Sequence, residues 1–296
     1  MRFPGIIPAV TTPFTSDDRI DLDALQANVD GLLQAGVHGL VATGTMGESA
    51  SLEIDERRAV IGSVSEVVAG RVPLLSGIAA PTARIAIRYA DAPREAGATA
   101  LMVLPPLNYA GDFREISGFY QAIGDASEMP IMAYNNPGAS GVELSVATIA
   151  RLAIEVEAVM AIKECSGETR NVAAIIGATP DDFEVVVGGD DFALEGFCAG
   201  ATGWVSGVAN VIPADCVRLY DACCGGDLVS ARELYQRMLP LARLDFDPKL
   251  VQYFKAAMDL AGFTGGLSRE PRLPLTGAEQ QILAQAMAAL RLTTVA

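Results

Sequence analysis

The sequence predicts an α/β protein, a (β/α)8 TIM barrel with a C-terminal helical extension. Short apolar runs alternate with amphipathic helical segments through roughly the first 210 residues, the pattern of a parallel α/β fold. Most of these runs lack a polar residue at every second position, as expected of parallel strands that are covered on both faces. The remainder of the chain is long and helical in pattern, which indicates the extension.

The predicted strands share this continuous apolar character. They are Ile6–Thr11, Gly39–Thr43, Val72–Ser76, Ala100–Leu104, Pro130–Tyr134, Val159–Lys163, Phe183–Val187 and Gly203–Ser206. Together with the helices between them, they are expected to form a barrel domain of residues 1–225.

The helical segments between the strands carry apolar residues at three- and four-residue spacing. This pattern is present in Leu22–Ala35 and recurs in Asp55–Val68 and Ala83–Ala96. Asp21 is suited to cap the amino terminus of the first of these helices. Four more helices are expected towards the end of the chain, at Cys216–Cys223, Leu228–Leu241, Pro248–Ala261 and Gly277–Leu290. A glycine pair at 225–226 marks a break, and residues 226–296 are predicted to form a helical bundle.

The composition excludes several classes of function. Of the 296 residues, 51% are hydrophobic and 19% are charged, with a formal net charge of −15, so the chain can bury a large core. The 21 Lys and Arg residues are scattered and form no basic stripe for nucleic acid. No apolar stretch predicts a membrane span, and the amino terminus has no signal-peptide pattern. We therefore expect a cytoplasmic protein without nucleic-acid or membrane partners.

Metal and nucleotide sites are not expected either. The five cysteines are odd in number and form no C-x-x-C pair, so neither a disulfide framework nor a zinc site is indicated. His38 is the only histidine, which excludes a two-histidine metal site, and we interpret it as a structural residue. The glycines near residue 44 lack the spacing of a dinucleotide- or phosphate-binding loop. We expect no metal and no cofactor.

Lys163, at the carboxyl end of the sixth predicted strand, is the most informative single residue. A lysine that ends an apolar run is costly to desolvate unless it is paired or neutral. Burial lowers the pKa of an amine and makes it a nucleophile toward carbonyl groups. Reacting groups of parallel α/β folds also collect at the carboxyl ends of strands. The alternative is a lysine that reaches solvent at the barrel rim without reacting, and spacing alone leaves both open.

Three more loops after predicted strands carry residues suited to a binding site. The turn at Thr43–Ser49 combines two glycines with hydroxyls, so its amides can face an anion or simply cap a helix. Tyr134 precedes Asn135-Asn136-Pro137-Gly138 and is placed either to pass protons or to bond the backbone. Gly188–Asp191 offers bare backbone to a ligand or a helix cap. These loops and Lys163 would converge on one mouth of the barrel.

Five motifs occur in order along the chain: Gly5–Phe14, the Gly44–Glu48 turn, Tyr134-Asn135-x-Pro137, Ile162-Lys163-Glu164 and Gly189-Asp190-Asp191. In order and spacing they resemble the dihydrodipicolinate synthase and N-acetylneuraminate lyase family of Schiff-base aldolases. The resemblance covers nearly the whole chain. It implies a (β/α)8 barrel with a carboxyl-terminal helical extension, a homotetramer, and a small-molecule 2-oxo acid as the substrate.

The resemblance also implies catalytic roles. Lys163 matches the lysine that forms an imine with pyruvate or another 2-oxo acid. Tyr134 matches the tyrosine that shuttles protons at the reacting carbon, and Thr45 the hydroxyl that relays protons to it. A protonated imine is an electron sink, so a neighbouring C–H or C–C bond can break to give an enamine, with Tyr134 supplying and removing protons.

Binding roles follow in the same way. Gly44, Met46 and Gly47 belong to the turn that would hold the carboxylate of the 2-oxo acid. Gly189 after the seventh strand is expected to present bare backbone to the ligand. Val205 matches a residue of the eighth strand whose carbonyl lines the pocket.

Three positions depart from the family pattern. Met46 replaces the second of two adjacent hydroxyl residues and puts an adaptable apolar side chain beside the carboxylate. Leu107 occupies the place of a second tyrosine that reaches across from a partner subunit in the synthases, and Tyr109 is a candidate substitute. Ala139 stands where the synthases carry an arginine that grips the second substrate. We therefore expect that the chain is not a true dihydrodipicolinate synthase and that aspartate semialdehyde is not its substrate.

The leading hypothesis is a lyase that forms a lysine Schiff base with a 2-oxo acid. Its reaction would be aldol cleavage or condensation, dehydration or deamination, as in the family's sugar-acid aldolases and dehydratases or its deaminase of hydroxyproline breakdown. The alternative within the class is 4-hydroxy-tetrahydrodipicolinate synthase. The alternative from another class is a non-catalytic 2-oxo acid sensor or binding module, against which the joint presence of Lys163, Tyr134 and Thr45 argues.

Overall fold

The computed structural model describes residues 2–290 and contains one eight-stranded parallel sheet. The strands are β1 (Gly5–Pro8), β2 (Leu40–Ala42), β3 (Leu74–Ile78), β4 (Ala100–Val103), β5 (Ile131–Asn135), β6 (Val159–Glu164), β7 (Glu184–Val187) and β8 (Gly203–Ser206). Their order is β1-β8-β7-β6-β5-β4-β3-β2, and a parallel bridge from Ala9 to Val41 joins the two ends of the sheet. The predicted TIM barrel and each of its predicted strands are confirmed.

β5 and β6 each run one residue further than predicted, and both extra residues are polar. Asn135 ends β5 and pairs in register with Glu164, which ends β6. The Asn135 amide donates to Glu164 Oε2 at 2.8 Å and accepts from the Leu144 N–H at 2.9 Å. Glu164 Oε1 accepts from the Ser166 N–H at 2.9 Å. These bonds satisfy both buried side chains and fix the loops that leave the two strands.

Helices surround the barrel and continue beyond it. They are α1 (Leu22–Gln34), α2 (Ile54–Val68), α3 (Ala83–Glu95), α4 (Phe113–Ser127), α5 (Pro137–Ser140), α6 (Val146–Glu155), α7 (Arg170–Ile176), α8 (Ala193–Cys198), α9 (Pro213–Cys224), α10 (Leu228–Ala242), α11 (Leu250–Ala261) and α12 (Gly277–Ala289). Asp21 caps α1, as predicted, by accepting from the Ala24 N–H at 2.9 Å. No helix within residues 2–290 combines the length and apolarity needed to cross a bilayer.

The extension formed by α10–α12 packs against the barrel. The predicted boundary between residues 225 and 226 falls in the turn between α9 and α10, and residues 1 and 291–296 of the two predicted segments lie outside the described residues. The Tyr235 hydroxyl of α10 donates to the Asp190 carbonyl and accepts from the Ala193 N–H, both at 3.0 Å. A 3₁₀ turn at Arg243–Phe246 then carries the chain to α11. The extension is thereby tied to the loop that follows β7.

A buried ion pair ties the extension to the loop after β2. The Lys255 ammonium of α11 donates to Glu48 Oε1 at 2.6 Å, and also to the carbonyls of Thr12 at 2.7 Å and Leu267 at 2.6 Å. The two side chains are 2% and 0% exposed. Glu48 Oε2 accepts in addition from the Arg269 N–H at 3.1 Å. The three ammonium donors therefore all have partners, as a buried charge requires.

Replacing Lys255 should show how strongly this pair holds the extension. In Lys255→Met the buried Glu48 carboxylate would lose its nearest cation and keep only Arg272 at 3.5 Å among the described residues, so the free energy of unfolding should fall by up to about 3–5 kcal/mol. The matched control is Lys249→Met, because Lys249 pairs with Glu279 while 35% exposed, and it should cost less than about 1 kcal/mol. Urea unfolding followed by circular dichroism measures both, and equal losses would contradict the expectation.

Candidate active site

A cavity of about 470 Å³ opens where the strands end. Residues that follow or end β1, β2, β5, β6, β7 and β8 form its walls, together with residues of the extension. The wall includes Thr45, Met46, Tyr134, Asn136, Ala139, Lys163, Cys165, Gly188, Gly207, Asp245 and Arg272. The cavity lies at the carboxyl ends of the strands, as expected for a barrel of this kind.

Lys163 lies inside this cavity and is 6% exposed. In register it stands between Tyr134 of β5 and Val186 of β7. Its Nζ is 4.0 Å from the centroid of the Tyr134 ring, a cation–π contact. On the other side Gly188 leaves room for the side chain, because a Cβ there would lie 2.8 Å from Lys163 Cε. The lysine is therefore a wall residue of a pocket and not a rim lysine.

The expectation that burial lowers the pKa of Lys163 is wrong for the net shift. Burial does lower the pKa, but Tyr134, Cys165 and Asp245 raise it, and the sum lies above the ordinary value. Burial in turn raises the pKa of Tyr134 to about 12, although Lys163 lowers it. Burial also raises the pKa of the Cys165 thiol to about 12. A nucleophilic amine at Lys163 therefore has to pass a proton to a neighbouring group.

Asn136 holds the phenol of Tyr134 and was not among the predicted site residues. Its Nδ2 donates to the Tyr134 hydroxyl at 2.7 Å. Its Oδ1 accepts from the Ala139 N–H at 3.0 Å and so caps α5. Asparagine directly before proline is a helix-capping signal, so the sequence could have placed Asn136 but not its bond to the phenol. Because the phenol oxygen accepts this bond, its own proton remains available to a ligand.

The turn after β2 presents Thr45 and Met46 to the cavity. Within residues 2–290, the backbone N–H groups of Thr45, Met46 and Gly47 donate to no protein acceptor, whereas those of Glu48 and Ser49 bond back into the turn. Amides left without partners in a glycine-containing turn suit an anion. No hydrogen bond joins Thr45 to Tyr134 among the described residues, so the relay through Thr45 stays a prediction.

The structure brings some of the predicted binding residues together and leaves others behind the wall. Met46 and Ala139 line the cavity. Gly44 lies just behind it, because a Cβ there would be 3.6 Å from Met102 Cε. Gly47 packs on Val10, because a Cβ at position 47 would lie 3.0 Å from the Val10 carbonyl oxygen. Binding by Gly44 and Gly47 would therefore involve their backbone only.

Gly189, Val205 and Leu107 lie outside the cavity wall. A Cβ on Gly189 would overlap the ring of Phe192, so this glycine makes room for packing and its neighbour Gly188 faces the cavity. Val205 is buried within β8, and Gly207 takes its expected place on the wall. The Leu107 N–H donates to the Ala80 carbonyl at 3.2 Å. Contacts of these three residues with a ligand stay predictions.

Two other residues considered from the sequence lie away from the cavity. Tyr109 is 53% exposed, and its hydroxyl donates to Glu115 Oε1 at 2.8 Å. His38 accepts from the Ile6 N–H at 3.2 Å and contacts Tyr220 edge to face. It lies before β2, at the opposite end of the strands. Within residues 2–290, no group of three or more His, Cys, Asp or Glu side chains is arranged to hold a metal ion.

Asp190 of the Gly189-Asp190-Asp191 motif is a structural residue. Its carboxylate accepts from Trp204 Nε1 at 3.0 Å, the Ser206 hydroxyl at 2.9 Å and the Val208 N–H at 2.7 Å. It is fully buried and joins the loop after β7 to the end of β8. Burial raises its pKa well above the ordinary value, and nearby Asp245 raises it further.

Besides Asp247, two charged wall residues come from the extension and were missed by sequence reasoning. Asp245 belongs to the turn between α10 and α11, and its Oδ2 accepts from the Asp190 N–H at 3.3 Å. Arg272 precedes α12, and its Nη1 lies 3.5 Å from Glu48 Oε2. Neither belongs to a motif of the barrel, and more than 80 residues separate Asp245 from Lys163. No local signal in the sequence could have placed them.

Known proteins resemble the chain over nearly its whole length. A sequence model described as the dihydrodipicolinate synthetase family matches residues 2–290. A protein of Methanopyrus kandleri named 4-hydroxy-tetrahydrodipicolinate synthase is 38% identical over 280 residues, which are 94% of this chain and 92% of that protein. One of Halalkalibacterium halodurans, named 4-hydroxy-tetrahydrodipicolinate synthase 1, is 33% identical over 96% of each chain.

Solved structures with similar names have the same fold as this chain. Dihydrodipicolinate synthase from Thermotoga maritima superposes with a TM-score of 0.92 at 28% identity, covering 97% of this chain and 98% of that one. A prophage protein of the dihydrodipicolinic acid synthase family from E. coli, solved in complex with pyruvate, superposes with a TM-score of 0.91 at 28% identity and the same coverage.

A side chain at position 188 should displace Lys163. In Gly188→Ala the new Cβ would meet Cys165 Cβ at 2.6 Å and the Glu164 carbonyl at 2.9 Å. A shift of reacting atoms by about 1 Å costs roughly 100-fold in rate, so imine formation with pyruvate should slow by about that factor. Gly62→Ala in α2, where a Cβ meets no atom within 4 Å, is the matched control. Borohydride trapping rates compare them, and equal rates would contradict the role of Gly188.

The bond from Asn136 to the phenol should matter for proton transfer. Asn136→Asp keeps the acceptor that caps α5 but loses the donor to Tyr134, and the donor lowers the pKa of that phenol. The variant should exchange the C3 protons of bound pyruvate about tenfold more slowly, which is the effect expected when a hydrogen bond to a charged group is lost. Deuterium exchange followed by NMR measures this. Asn171→Asp, which changes an amide bonded to Ser166 outside the cavity, should exchange at the normal rate.

Proposed function

The chain belongs to the dihydrodipicolinate synthetase family and is a lyase of the Schiff-base aldolase type, and we propose that Lys163 is the residue that forms the imine with a 2-oxo acid. The observation that carries this proposal is the position of the amine. It is buried in a cavity at the carboxyl ends of the strands, in contact with Tyr134. A buried amine beside a proton donor is the arrangement that Schiff-base catalysis needs.

The turn after β2 is proposed to bind the carboxylate of the substrate. Thr45 and Met46 line the cavity, and their N–H groups, with that of Gly47, have no protein acceptor within residues 2–290. Three amides directed at one carboxylate would hold the 2-oxo acid with its ketone near Lys163. Such a local site is needed because the overall charge of −15 gives no general attraction to an anion.

The proposed chemistry begins when the neutral amine of Lys163 attacks the ketone carbon. The Tyr134 phenol then gives its proton to the departing hydroxyl, which leaves as water, and the products are a protonated imine and a phenolate. The phenolate takes a proton from C3 of the substrate, and the C–H electrons flow into the imine to give an enamine. Tyr134 is thereby restored, and the enamine is ready for bond formation or cleavage at C3 or C4.

For the overall reaction we propose cleavage, dehydration or deamination of a 2-oxo acid such as a 2-oxo sugar acid. Ala139 and Met46 line the cavity where the family pattern has polar groups, and Leu107 carries no hydroxyl. A second substrate with its own carboxylate would find no arginine at position 139. From the family we also propose a cytoplasmic homotetramer.

The second candidate is 4-hydroxy-tetrahydrodipicolinate synthase. The relatives that carry this name and are 33–38% identical favour it. Arg272 favours it as well, because this residue brings a guanidinium to the cavity from another segment. Its charge is shared with Glu48 at 3.5 Å, which weakens its attraction for a substrate carboxylate.

Borohydride reduction in the presence of pyruvate tests the proposed imine. The chain has only three lysines, Lys163, Lys249 and Lys255, so mass spectrometry of peptides assigns the adduct directly. We expect it on Lys163, its loss in Lys163→Ala, and its retention in the control Lys249→Arg. An adduct on another lysine, or none, would contradict the proposal.

Substrate choice needs a separate measurement on the same protein. Sugar-derived 2-oxo acids and aspartate semialdehyde with pyruvate should be compared by kcat/KM. We expect turnover of the former to exceed that of the latter by at least about 100-fold, the discrimination expected when a carboxylate lacks its cationic partner. Efficient use of aspartate semialdehyde would favour the second candidate.

A further inference from the structure

We propose that Asp245 donates a proton to a hydroxyl or amino leaving group of the substrate, so that this cavity catalyses an elimination from C4 of a 2-oxo acid. The inference rests on the proposed imine at Lys163 and adds to it the class of reaction. Asp245 comes from the extension, at the turn between α10 and α11, and lines the cavity that contains Lys163.

Asp245 lines the cavity and has one carboxylate oxygen without a protein donor among the described residues. Oδ2 accepts from the Asp190 N–H at 3.3 Å, and within residues 2–290 Oδ1 accepts no hydrogen bond. Neighbouring Asp190, in contrast, accepts bonds on both oxygens, among them those from Trp204 and Val208. Asp245 is partly buried and lines the cavity, so its Oδ1 is open to a donor that enters the cavity. A structural role accounts for both oxygens of Asp190 but for only one oxygen of Asp245.

Asp245 and Tyr134 flank Lys163 from different sides. Tyr134 lies on β5, next to β6 in the sheet. Asp245 lies over the ends of β7 and β8, because it bonds the Asp190 N–H and its Oδ1 would be 3.4 Å from a Cβ on Gly207. An imine-bound substrate therefore has one acid–base group beside C3 and a second one further along its chain. Two such groups with separated pKa values mark distinct acid and base roles.

Lys163 and Asp245 line the same cavity without forming an ion pair. Their charges nevertheless act on each other's pKa, so the two groups lie near each other. A direct pair would close the cavity at this point. The proposal therefore places substrate atoms between the amine and the carboxyl group.

The protonation of Asp245 changes in the direction that an acid catalyst requires. Burial raises the pKa of its carboxyl group to about 6, although Lys163 lowers it. When the cationic imine becomes a neutral enamine, the positive charge that lowers this pKa disappears. The carboxyl group then holds its proton more strongly before the leaving group departs. The charge of nearby Asp191 also raises the pKa of Asp245, whereas the hydrogen bond from the Asp190 N–H lowers it.

The proton inventory of the elimination is balanced. The cycle begins with a neutral Lys163 amine, which attacks the ketone, and with a protonated Asp245 carboxyl group. After Tyr134 has removed the C3 proton, the C4–O bond breaks, Asp245 gives its proton to the departing oxygen, and water leaves. The enamine electron pair forms the C3=C4 double bond and restores the protonated imine. Water then hydrolyses the imine, returns its proton to Asp245 and releases the unsaturated 2-oxo acid. An amino leaving group follows the same course.

A pair of probes isolates the proton donation. 4-Hydroxy-2-oxopentanoate and 4-fluoro-2-oxopentanoate yield the same 2-oxopent-3-enoate, but hydroxide needs a proton to leave and fluoride does not. In Asp245→Asn the amide oxygen can still accept from the Asp190 N–H. We expect the variant to lose about 100-fold in kcat with the hydroxy probe, as for removal of a general acid, and less than about tenfold with the fluoro probe.

Asp191→Asn is the matched control. It removes a nearby acid that raises the pKa of Asp245 but does not line the cavity, and both probes should react within about threefold of the wild type. Melting temperatures of both variants should agree with that of the wild type. The absorbance of the enoate measures elimination, and a coupled lactate dehydrogenase assay measures pyruvate from aldol cleavage.

The outcomes separate this inference from the proposed function. Equal losses with both probes in Asp245→Asn would show that Asp245 only positions the substrate, and would overturn the inference. Wild-type protein that forms the Lys163 adduct yet yields pyruvate, or no enoate from either probe, would overturn it as well. In both cases the imine at Lys163 stands. A missing borohydride adduct on Lys163 would remove the proposed function itself and the inference with it.

Discussion

A charged amine buried at the carboxyl end of β6 is the constraint on which the arrangement of the cavity depends. Lys163 is 6% exposed, and a cation in such a place needs partners on each side. It has the face of Tyr134 at 4.0 Å, the bare backbone of Gly188 beside its stem, and the charge of Asp245 on the wall of the same cavity. Each partner also fits a step of imine chemistry, because the amine has to lose a proton before it reacts and its surroundings have to accept one.

The extension completes this site and is held to the barrel by buried polar contacts. The Lys255–Glu48 pair fixes the turn that carries Thr45 and Met46, because Glu48 directly continues that turn. The Tyr235 hydroxyl bonds the Asp190 carbonyl and so holds α10, from which the chain continues into the turn of Asp245. The barrel and the extension thus share the same anchors, and loss of these contacts would disturb the cavity as well as the stability.

Much of the fold and part of the site could be predicted from the sequence. The apolar runs marked every strand, because a strand covered on both faces has apolar residues at consecutive positions. Lys163 and Tyr134 could be found because each ends such a run. Asn136 could not be assigned to the phenol, since its capping role alone explains its place before Pro137. Asp245 reaches the cavity only through the packing of α10 on the barrel, which no local pattern encodes.

The direction of the Lys163 pKa shift could not be predicted from the sequence either. Burial is a property that the apolar run predicts, and burial alone lowers the pKa of an amine. The net shift depends on which groups face the amine, and two of the three that raise it, Tyr134 and Asp245, come from other elements.

Charge placement in the cavity also bears on the reaction. Ala139 and Met46 leave the wall near the substrate apolar, while Asp245 adds a carboxyl group with a free oxygen. A substrate whose distal end carries a carboxylate would meet repulsion there, with Arg272 already shared with Glu48. A substrate whose distal end carries a hydroxyl or amino group would find a hydrogen-bond partner. This wall is therefore consistent with the proposed elimination, for which we expect neutral or cationic leaving groups to be preferred over a second anionic substrate.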